Sequence, residues 1–151
     1  MHMIRKAVGA IVFSGDKFLL VGKVKLMDSP NGPVDIPLEW HIPGGGVIES
    51  DESNLEAIMR ELREETGSNQ FRIVREYEDK VRFDFPREIR DEIGFDKQET
   101  TMFLVEYIGT GEDLVPSDDE VSQVEFVPKD LLFKRLSAKE TKEFIRDTQE
   151  N

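Results

Sequence analysis

The short segment of residues 50–66 is rich in acidic side chains. Within it, Glu61, Glu64 and Glu65 stand close together. Because residues three and four apart are neighbours on an α-helix, the three carboxylates would share one face within little more than a turn. Two such charges about 4 Å apart in a partly dry cleft repel by roughly 4 kcal/mol, which a bound cation would offset. The segment predicts either a cation site or the solvated acidic face that charge runs commonly form.

The side chains available as ligands narrow the choice of cation. The chain has 151 residues, no cysteine and 2 histidines. Disulfides, thiolate nucleophiles, zinc–thiolate sites and iron–sulfur clusters are therefore excluded. Oxygen ligands favour hard ions such as Mg²⁺ or Mn²⁺.

Three consecutive glycines, Gly44–Gly46, precede the acidic segment. They lack the Lys-Ser/Thr of a phosphate-binding Walker loop and the spacing of a dinucleotide-binding loop. A run of three glycines is most often a simple turn. Here it ends a short predicted strand, Glu39–Ile42, so we expect bare backbone carbonyls to face the same cleft as the carboxylates.

The acidic segment itself is predicted to be a helix over Ser50–Thr66. Ser53 followed by Glu56 fits a capping box, and Gly67 stands where a helix C′ residue belongs. Apolar residues recur at helical spacing and predict a stripe that faces the core. These residues are Leu55, Ile58, Met59 and Leu62.

The remaining elements are predicted before and after this helix in the sequence. Lys6–Phe13 and Phe18–Val24 flank a short turn and predict a β-hairpin. Met27–Pro37, with its three prolines, predicts a long loop. Further strands are expected at Phe71–Val74, Val81–Phe85, Thr101–Ile108 and Val124–Val127, and two helices after Pro128. The order predicts an α/β fold with a mixed sheet, without strict βαβ alternation.

Composition limits the classes of partner. The formal net charge of −12 disfavours binding to duplex DNA or to an anionic membrane surface. The sequence shows neither a secretory signal nor a transmembrane run, so we expect a cytoplasmic protein. No composition break or repeat divides the chain, and a single domain over residues 1–151 is predicted.

The acidic segment and the glycines before it resemble a known motif, the Nudix box G-x5-E-x7-R-E-U-x-E-E-x-G-U. The matching residues are Gly46, Glu52, Arg60, Glu61, Leu62, Glu64, Glu65 and Gly67. One position departs, because Ser68 replaces the final bulky aliphatic residue. The chain is identified as a member of the Nudix family, which implies an α/β/α sandwich with a mixed β-sheet.

The resemblance implies a metal-dependent hydrolase of a nucleoside diphosphate linked to another group, with Mg²⁺ or Mn²⁺ as cofactor. By motif position, Glu61, Glu64 and Glu65 would hold the metal, and Gly45 would offer a backbone carbonyl. Arg60 and Glu52 would orient the site.

A second resemblance concerns the substrate. Phe83–Pro86, followed by Gly94–Gln98, is similar to a segment of diadenosine tetraphosphate hydrolases and RNA pyrophosphohydrolases. It implies a dinucleoside polyphosphate or a 5′-triphosphorylated RNA end as substrate. In the same families a stretch similar to Asp119–Val127 carries a distal metal-binding glutamate, which implies Glu120 as that ligand. The alternatives are a nucleoside triphosphate pyrophosphatase of nucleotide-pool cleaning and a non-catalytic domain that senses a nucleotide.

Four residues are candidates for substrate binding: Lys23, His41, Phe85 and Lys97. The lysines and the histidine would face phosphates, although surface positions are as common for such residues. Phe85, or else Tyr77, would stack on a base, although aromatic residues on alternating strands are more often part of a core. Monomer and homodimer are both compatible with the sequence.

Overall fold

The computed structural model describes residues 3–26, 34–116 and 119–149. In this part of the chain, seven strands and four helices are formed. The strands are β1 (Ile4–Ser14), β2 (Lys17–Leu26), β3 (Val34–His41), β4 (Gly44–Gly46), β5 (Phe71–Asp84), β6 (Lys97–Tyr107) and β7 (Val121–Pro128). The helices are α1 (Asn54–Thr66), α2 (Arg87–Ile93), α3 (Lys129–Arg135) and α4 (Lys139–Gln149). None of the helices described is long and apolar enough to cross a membrane.

The strands form one mixed sheet in the order β3-β2-β1-β6-β5, with β4 paired to β1 and β7 paired to β2. β1 and β2 form the predicted hairpin, in which Ser14 pairs with Lys17. Gly15 has a φ of 61° in the turn, a conformation that glycine adopts without steric cost. β1 runs parallel to β6 and antiparallel to β2 and β4, which confirms the mixed sheet.

Helices cover both faces of the sheet, as expected for an α/β/α sandwich. Because side chains alternate along a strand, β1 contributes to two cores. Val8 and Ala10 pack on the side of α1, together with Ile58 and Leu62. Ile11 packs on the other side, where Leu132 of α3 and Ile145 of α4 are buried.

The helix α1 begins at Asn54, later than the predicted Ser50. Its cap is as predicted: the Ser53 hydroxyl accepts a hydrogen bond from the Glu56 amide, and Gly67 ends the helix with a φ of 77°. The predicted position of Leu55 in the core was wrong, because this side chain is 48% exposed. The helix turns Glu65 inwards, so its buried face is centred near Ile58 and leaves Leu55 at the margin.

Three further differences concern the segments between these elements. The two strands predicted at 71–74 and 81–85 are one long strand, β5, interrupted by register shifts against β6. Residues 34–37, predicted as part of a loop, belong to β3, while residues 27–33 of that loop lie outside the described residues. The helix α2 was not predicted; it is bracketed by Pro86 and by Gly94, whose φ is 84°.

Candidate active site

A large cleft of about 1340 Å³ opens where β4, α1 and the start of β1 meet. Its lining includes carboxylates of α1 and the glycine strand β4. Phe83, Phe85 and residues of the helix α2 also line it. The lining of the cleft therefore combines acidic side chains with aromatic and apolar ones.

The glycines of β4 let the acidic helix approach the sheet closely. The Gly44 amide donates a hydrogen bond of 2.7 Å to Oε1 of Glu65. A Cβ atom added to Gly45 would lie 2.6 Å from Oε1 of Glu61. A larger residue at position 45 would therefore displace the Glu61 carboxylate.

Glu65 is the most unusual acid of the site, because its side chain is completely buried. Its second oxygen, Oε2, makes no hydrogen bond to the described residues. Burial, assisted by the nearby Glu61 and Glu120 and opposed by Lys23, raises the pKa of Glu65 to about 8. A buried carboxylate without full pairing is costly, so this atom requires a proton or a cation beside it.

Lys23 of β2 provides one positive charge at this place. Its Nζ lies 3.4 Å from Oε2 of Glu65 and 3.4 Å from Oε1 of Glu120. Although burial opposes the charged form, the carboxylates of Glu65, Glu120 and Glu61 hold the pKa of Lys23 above its usual value. The sequence predicted a phosphate-binding role for Lys23; the structure places it among the acids.

Arg60 connects the acidic helix to the loop before it. Its Nε and Nη2 donate hydrogen bonds of 3.0 and 2.9 Å to the two carboxylate oxygens of Asp51. Nη2 also donates to the carbonyl of Gly46 at 3.0 Å, while Nη1 contacts Glu61 at 3.0 Å and Glu64 at 3.1 Å. One guanidinium group thereby fixes two of the three predicted metal ligands of α1.

The motif predicts an orienting role for Glu52, and the prediction did not include its neighbour Asp51. Glu52 is exposed at the surface, whereas Asp51 forms the bidentate pair with Arg60. Hydrogen bonds from Arg60 lower the pKa of Asp51, which therefore stays ionised. No helical spacing connects position 51 to position 60, because Asp51 precedes the helix.

The carboxylates of Glu61, Glu64, Glu65 and Glu120, here called the acidic cluster, are the kind of donor that a hard cation requires. Among residues 3–26, 34–116 and 119–149, no three acidic or histidine side chains already converge as metal ligands. The buried Oε2 of Glu65 makes no hydrogen bond with the described residues and lies 3.4 Å from Nζ of Lys23, so its surroundings already hold a positive charge. The other nearby donors are carboxylate and carbonyl oxygens, which suit a hard cation. Burial raises the pKa of Glu61, although Arg60 opposes this shift. The residues present thus suit Mg²⁺ or Mn²⁺.

Two other substrate candidates, His41 and Phe85, line the cleft. His41 lines the cleft, with Nε2 3.1 Å from Oε2 of Glu39, and burial together with the charge of Lys23 lowers its pKa. Phe85 lines the cleft and packs edge-on against Phe83, with ring centroids 5.1 Å apart.

Two candidates do not line the cleft. On β6, Gln98 and Thr100 line it, and Lys97 lies on the opposite face of the strand because side chains alternate. Tyr77 packs edge-on against Phe144 of α4 at 5.2 Å, and its hydroxyl accepts a hydrogen bond from Gln149. Tyr77 is therefore part of the packing beneath α4.

Taken together, the fold is an α/β/α sandwich in which a glycine strand and an acidic helix share one cleft. Comparison with known proteins identifies the family. The NUDIX domain matches residues 3–148, nearly the whole chain. The chain belongs to the Nudix family and is a Nudix hydrolase.

Individual relatives agree with this assignment. An RNA pyrophosphohydrolase of Nitratiruptor sp. is 36% identical over 120 residues, covering 74% of this chain and 77% of the relative. An RNA pyrophosphohydrolase of Bartonella bacilliformis is 31% identical over 126 residues, covering 81% of this chain and 73% of the relative. A C. elegans Ap4A hydrolase in a binary complex has a similar fold, with a TM-score of 0.66 and 18% identity. The match covers 96% of this chain and 95% of that structure.

Proposed function

We propose that this enzyme hydrolyses a phosphoanhydride bond in a nucleotide whose polyphosphate chain carries a second group. The preferred substrates are a dinucleoside polyphosphate and a 5′-triphosphorylated RNA end. The observation that carries the proposal is the fully buried Glu65, whose Oε2 lacks a hydrogen-bond partner among the described residues and faces the acidic cluster. An acid in this state is suited to a cation that in turn binds phosphate.

In this proposal Glu61, Glu64 and Glu65 hold Mg²⁺ or Mn²⁺, with Gly45 supplying a carbonyl oxygen and Glu120 a distal carboxylate. When bound, a divalent cation offsets negative charge on the phosphate oxygens and lowers the pKa of a bound water. The protein's own part is largely positioning, which is what phosphoryl chemistry requires. Arg60 contributes by holding the carboxylates of Glu61 and Glu64 at fixed positions.

The shape of the cleft supports a substrate larger than phosphate alone. Phe83 and Phe85 line the same cleft as the acids, and Ile89 and Ile93 of α2 add apolar surface. An aromatic ring can stack on any base, because every base has a π-face. A nucleoside stacked on one of these rings would share the cleft with the acidic side chains.

The relatives support the same substrate class. Two proteins that are 36% and 31% identical are named RNA pyrophosphohydrolases. The net charge of −12 argues against duplex DNA or a membrane as partner. A cytoplasmic location, the single domain over 1–151 and the choice between monomer and homodimer remain predictions of the sequence.

A substrate panel tests the proposal. Purified protein with Mg²⁺ or Mn²⁺ is incubated with diadenosine tetraphosphate, triphosphorylated RNA, nucleoside triphosphates or ADP-ribose, and the products are separated. We expect hydrolysis of one of the first two and complete inhibition by a chelator. Preferred hydrolysis of nucleoside triphosphates would support the pool-cleaning alternative. Tight binding without any product would support the nucleotide-sensing alternative.

A further inference from the structure

One basic side chain lies inside the acidic cluster of the cleft. Nζ of Lys23 is 3.4 Å from Oε2 of Glu65, 3.4 Å from Oε1 of Glu120 and 3.4 Å from the carbonyl oxygen of Gly44. The side chain is 14% exposed. Oxygens from the helix α1, the strand β4 and the segment before β7 thus surround one ammonium group.

Three oxygens at the same distance distinguish this arrangement from an ion pair with a single partner. A charge-assisted N–H···O bond typically measures about 2.7–2.9 Å, and Lys23 approaches none of its three oxygens that closely. Glu65 Oε2 is buried and makes no hydrogen bond with the described residues. The ammonium group therefore balances the oxygens by its charge from a central position, as a cation would.

The backbone explains how Lys23 reaches this place. The Val24 amide donates a hydrogen bond of 2.9 Å to the carbonyl of Glu120, which ties the segment before β7 to β2. The pairing of β2 with β7 is also shifted between Gly22 and Lys23. Lys23 and Glu120 are thereby held side by side.

We propose that Lys23 is an internal counter-ion that stands between Glu65 and Glu120 in the metal-free protein and withdraws when these carboxylates bind a divalent cation. This inference rests on the proposed function, which assigns both carboxylates to the metal. Lys23 then stabilises the metal-free site and lowers its affinity for the cation, because like charges repel at short range. This role acts on the affinity of the substrate-free protein for the cation, whereas binding a substrate phosphate acts on the KM for the substrate.

The test measures Mn²⁺ binding to the substrate-free protein by electron paramagnetic resonance. We expect Lys23→Met to bind Mn²⁺ at least tenfold more tightly than the wild type, and Lys23→Arg, which keeps the charge, to stay close to it. Lys25→Met removes the same charge two positions along the strand and is expected to change the affinity less than twofold. In chelator, Lys23→Met should unfold at a lower temperature, and Mn²⁺ should raise its midpoint more than that of the wild type.

The outcomes separate this inference from the proposed function. If the wild type binds Mn²⁺ and Glu65→Gln weakens that binding, the proposed metal site stands. An unchanged affinity in Lys23→Met, with a raised KM, then overturns the counter-ion role. If Glu65→Gln leaves Mn²⁺ binding unchanged, it is the proposed metal site that fails.

A measurement on the wild type covers the case in which Lys23→Met does not fold. The protein is labelled with ¹³C at lysine Cε, and the Lys23 signal is assigned by its loss in Lys23→Arg. We expect this signal to move on addition of Mg²⁺, because the ammonium group leaves its carboxylate partners. A signal that stays in place while Mg²⁺ binds overturns the proposal.

Discussion

The hydroxyl of Ser68 donates a hydrogen bond to the carboxylate of Asp113, which also accepts one from the Tyr107 hydroxyl. Ser68 is buried, and its oxygen in turn accepts a hydrogen bond of 2.9 Å from the Gln70 amide. This polar network occupies the position where the Nudix box has a bulky aliphatic residue. It attaches the segment around Asp113 to the end of α1.

Restoring the aliphatic residue is therefore expected to destabilise this chain. Ser68→Val removes a donor from Asp113 and an acceptor from Gln70, and a lost buried hydrogen bond costs about 1–3 kcal/mol. Chemical denaturation should show a lower free energy of unfolding for Ser68→Val. Ser122→Val, at an exposed position of β7, is the control and should change it little. A Ser68→Val protein as stable as the wild type would mean that the network contributes nothing.

A second polar network provides a pH-dependent test away from the cleft. Glu99 on β6 accepts hydrogen bonds from Lys6 of β1, and from Arg82 and Lys80 of β5. These contacts lower the pKa of Glu99 from 4.5 to about 2. Because the folded pKa is the lower one, the stabilisation is present above the unfolded value and is lost as the pH falls from 4.5 towards 2.

We therefore expect Glu99→Gln to be less stable than the wild type at pH 7, with a difference that shrinks as the pH falls through this range. High salt should reduce the difference as well, since the partners are largely exposed. Glu76→Gln on β5 is the charge-matched control. A difference between Glu99→Gln and the wild type that is constant with pH would contradict the assigned pairing.

Local patterns of the sequence predicted the parts of the site that local interactions determine. The Ser53 cap and the Gly67 C′ position depend only on nearby backbone, and the structure has both. The bidentate partner of Arg60 could not be predicted, because Asp51 lies before the helix and its approach depends on how the loop returns to β4. The same holds for Lys23, whose contacts with Glu65 and Glu120 depend on the packing of distant elements.

The third prediction concerns the carboxylates of α1. Glu64→Gln and Glu65→Gln each remove a negative ligand while keeping the size of the side chain, so turnover should fall by orders of magnitude. Burial raises the pKa of Glu65 from 4.5 to about 8, so this acid costs stability above the unfolded value. The metal-free Glu65→Gln protein should accordingly be at least as stable as the wild type at pH 7, with a difference that shrinks as the pH falls towards 4.5.

Glu56→Gln is the matched control for these variants, because Glu56 lies on the same helix at an exposed position. Its turnover should stay near that of the wild type. Near-wild-type turnover of Glu64→Gln or Glu65→Gln at limiting Mg²⁺ would show that the metal site is assigned to the wrong residues.

The last prediction concerns the distal acid Glu120. Its side chain is 25% exposed, and its carbonyl is fixed to β2 by the Val24 amide, so the carboxylate is held at the cleft close to Glu65. A ligand that shares the cation with the α1 carboxylates strengthens binding without being its main source. Glu120→Gln should therefore lower turnover clearly, but less than Glu64→Gln does, and the defect should diminish at high Mn²⁺.

Asp119→Asn is the matched control for Glu120→Gln. It changes the same segment by the same charge, and Asp119 also lines the cleft, so this variant measures the diffuse effect of charge. If Glu120→Gln and Asp119→Asn have equal effects at every Mn²⁺ concentration, Glu120 acts only through the general field, and the resemblance to polyphosphate hydrolases loses its main support.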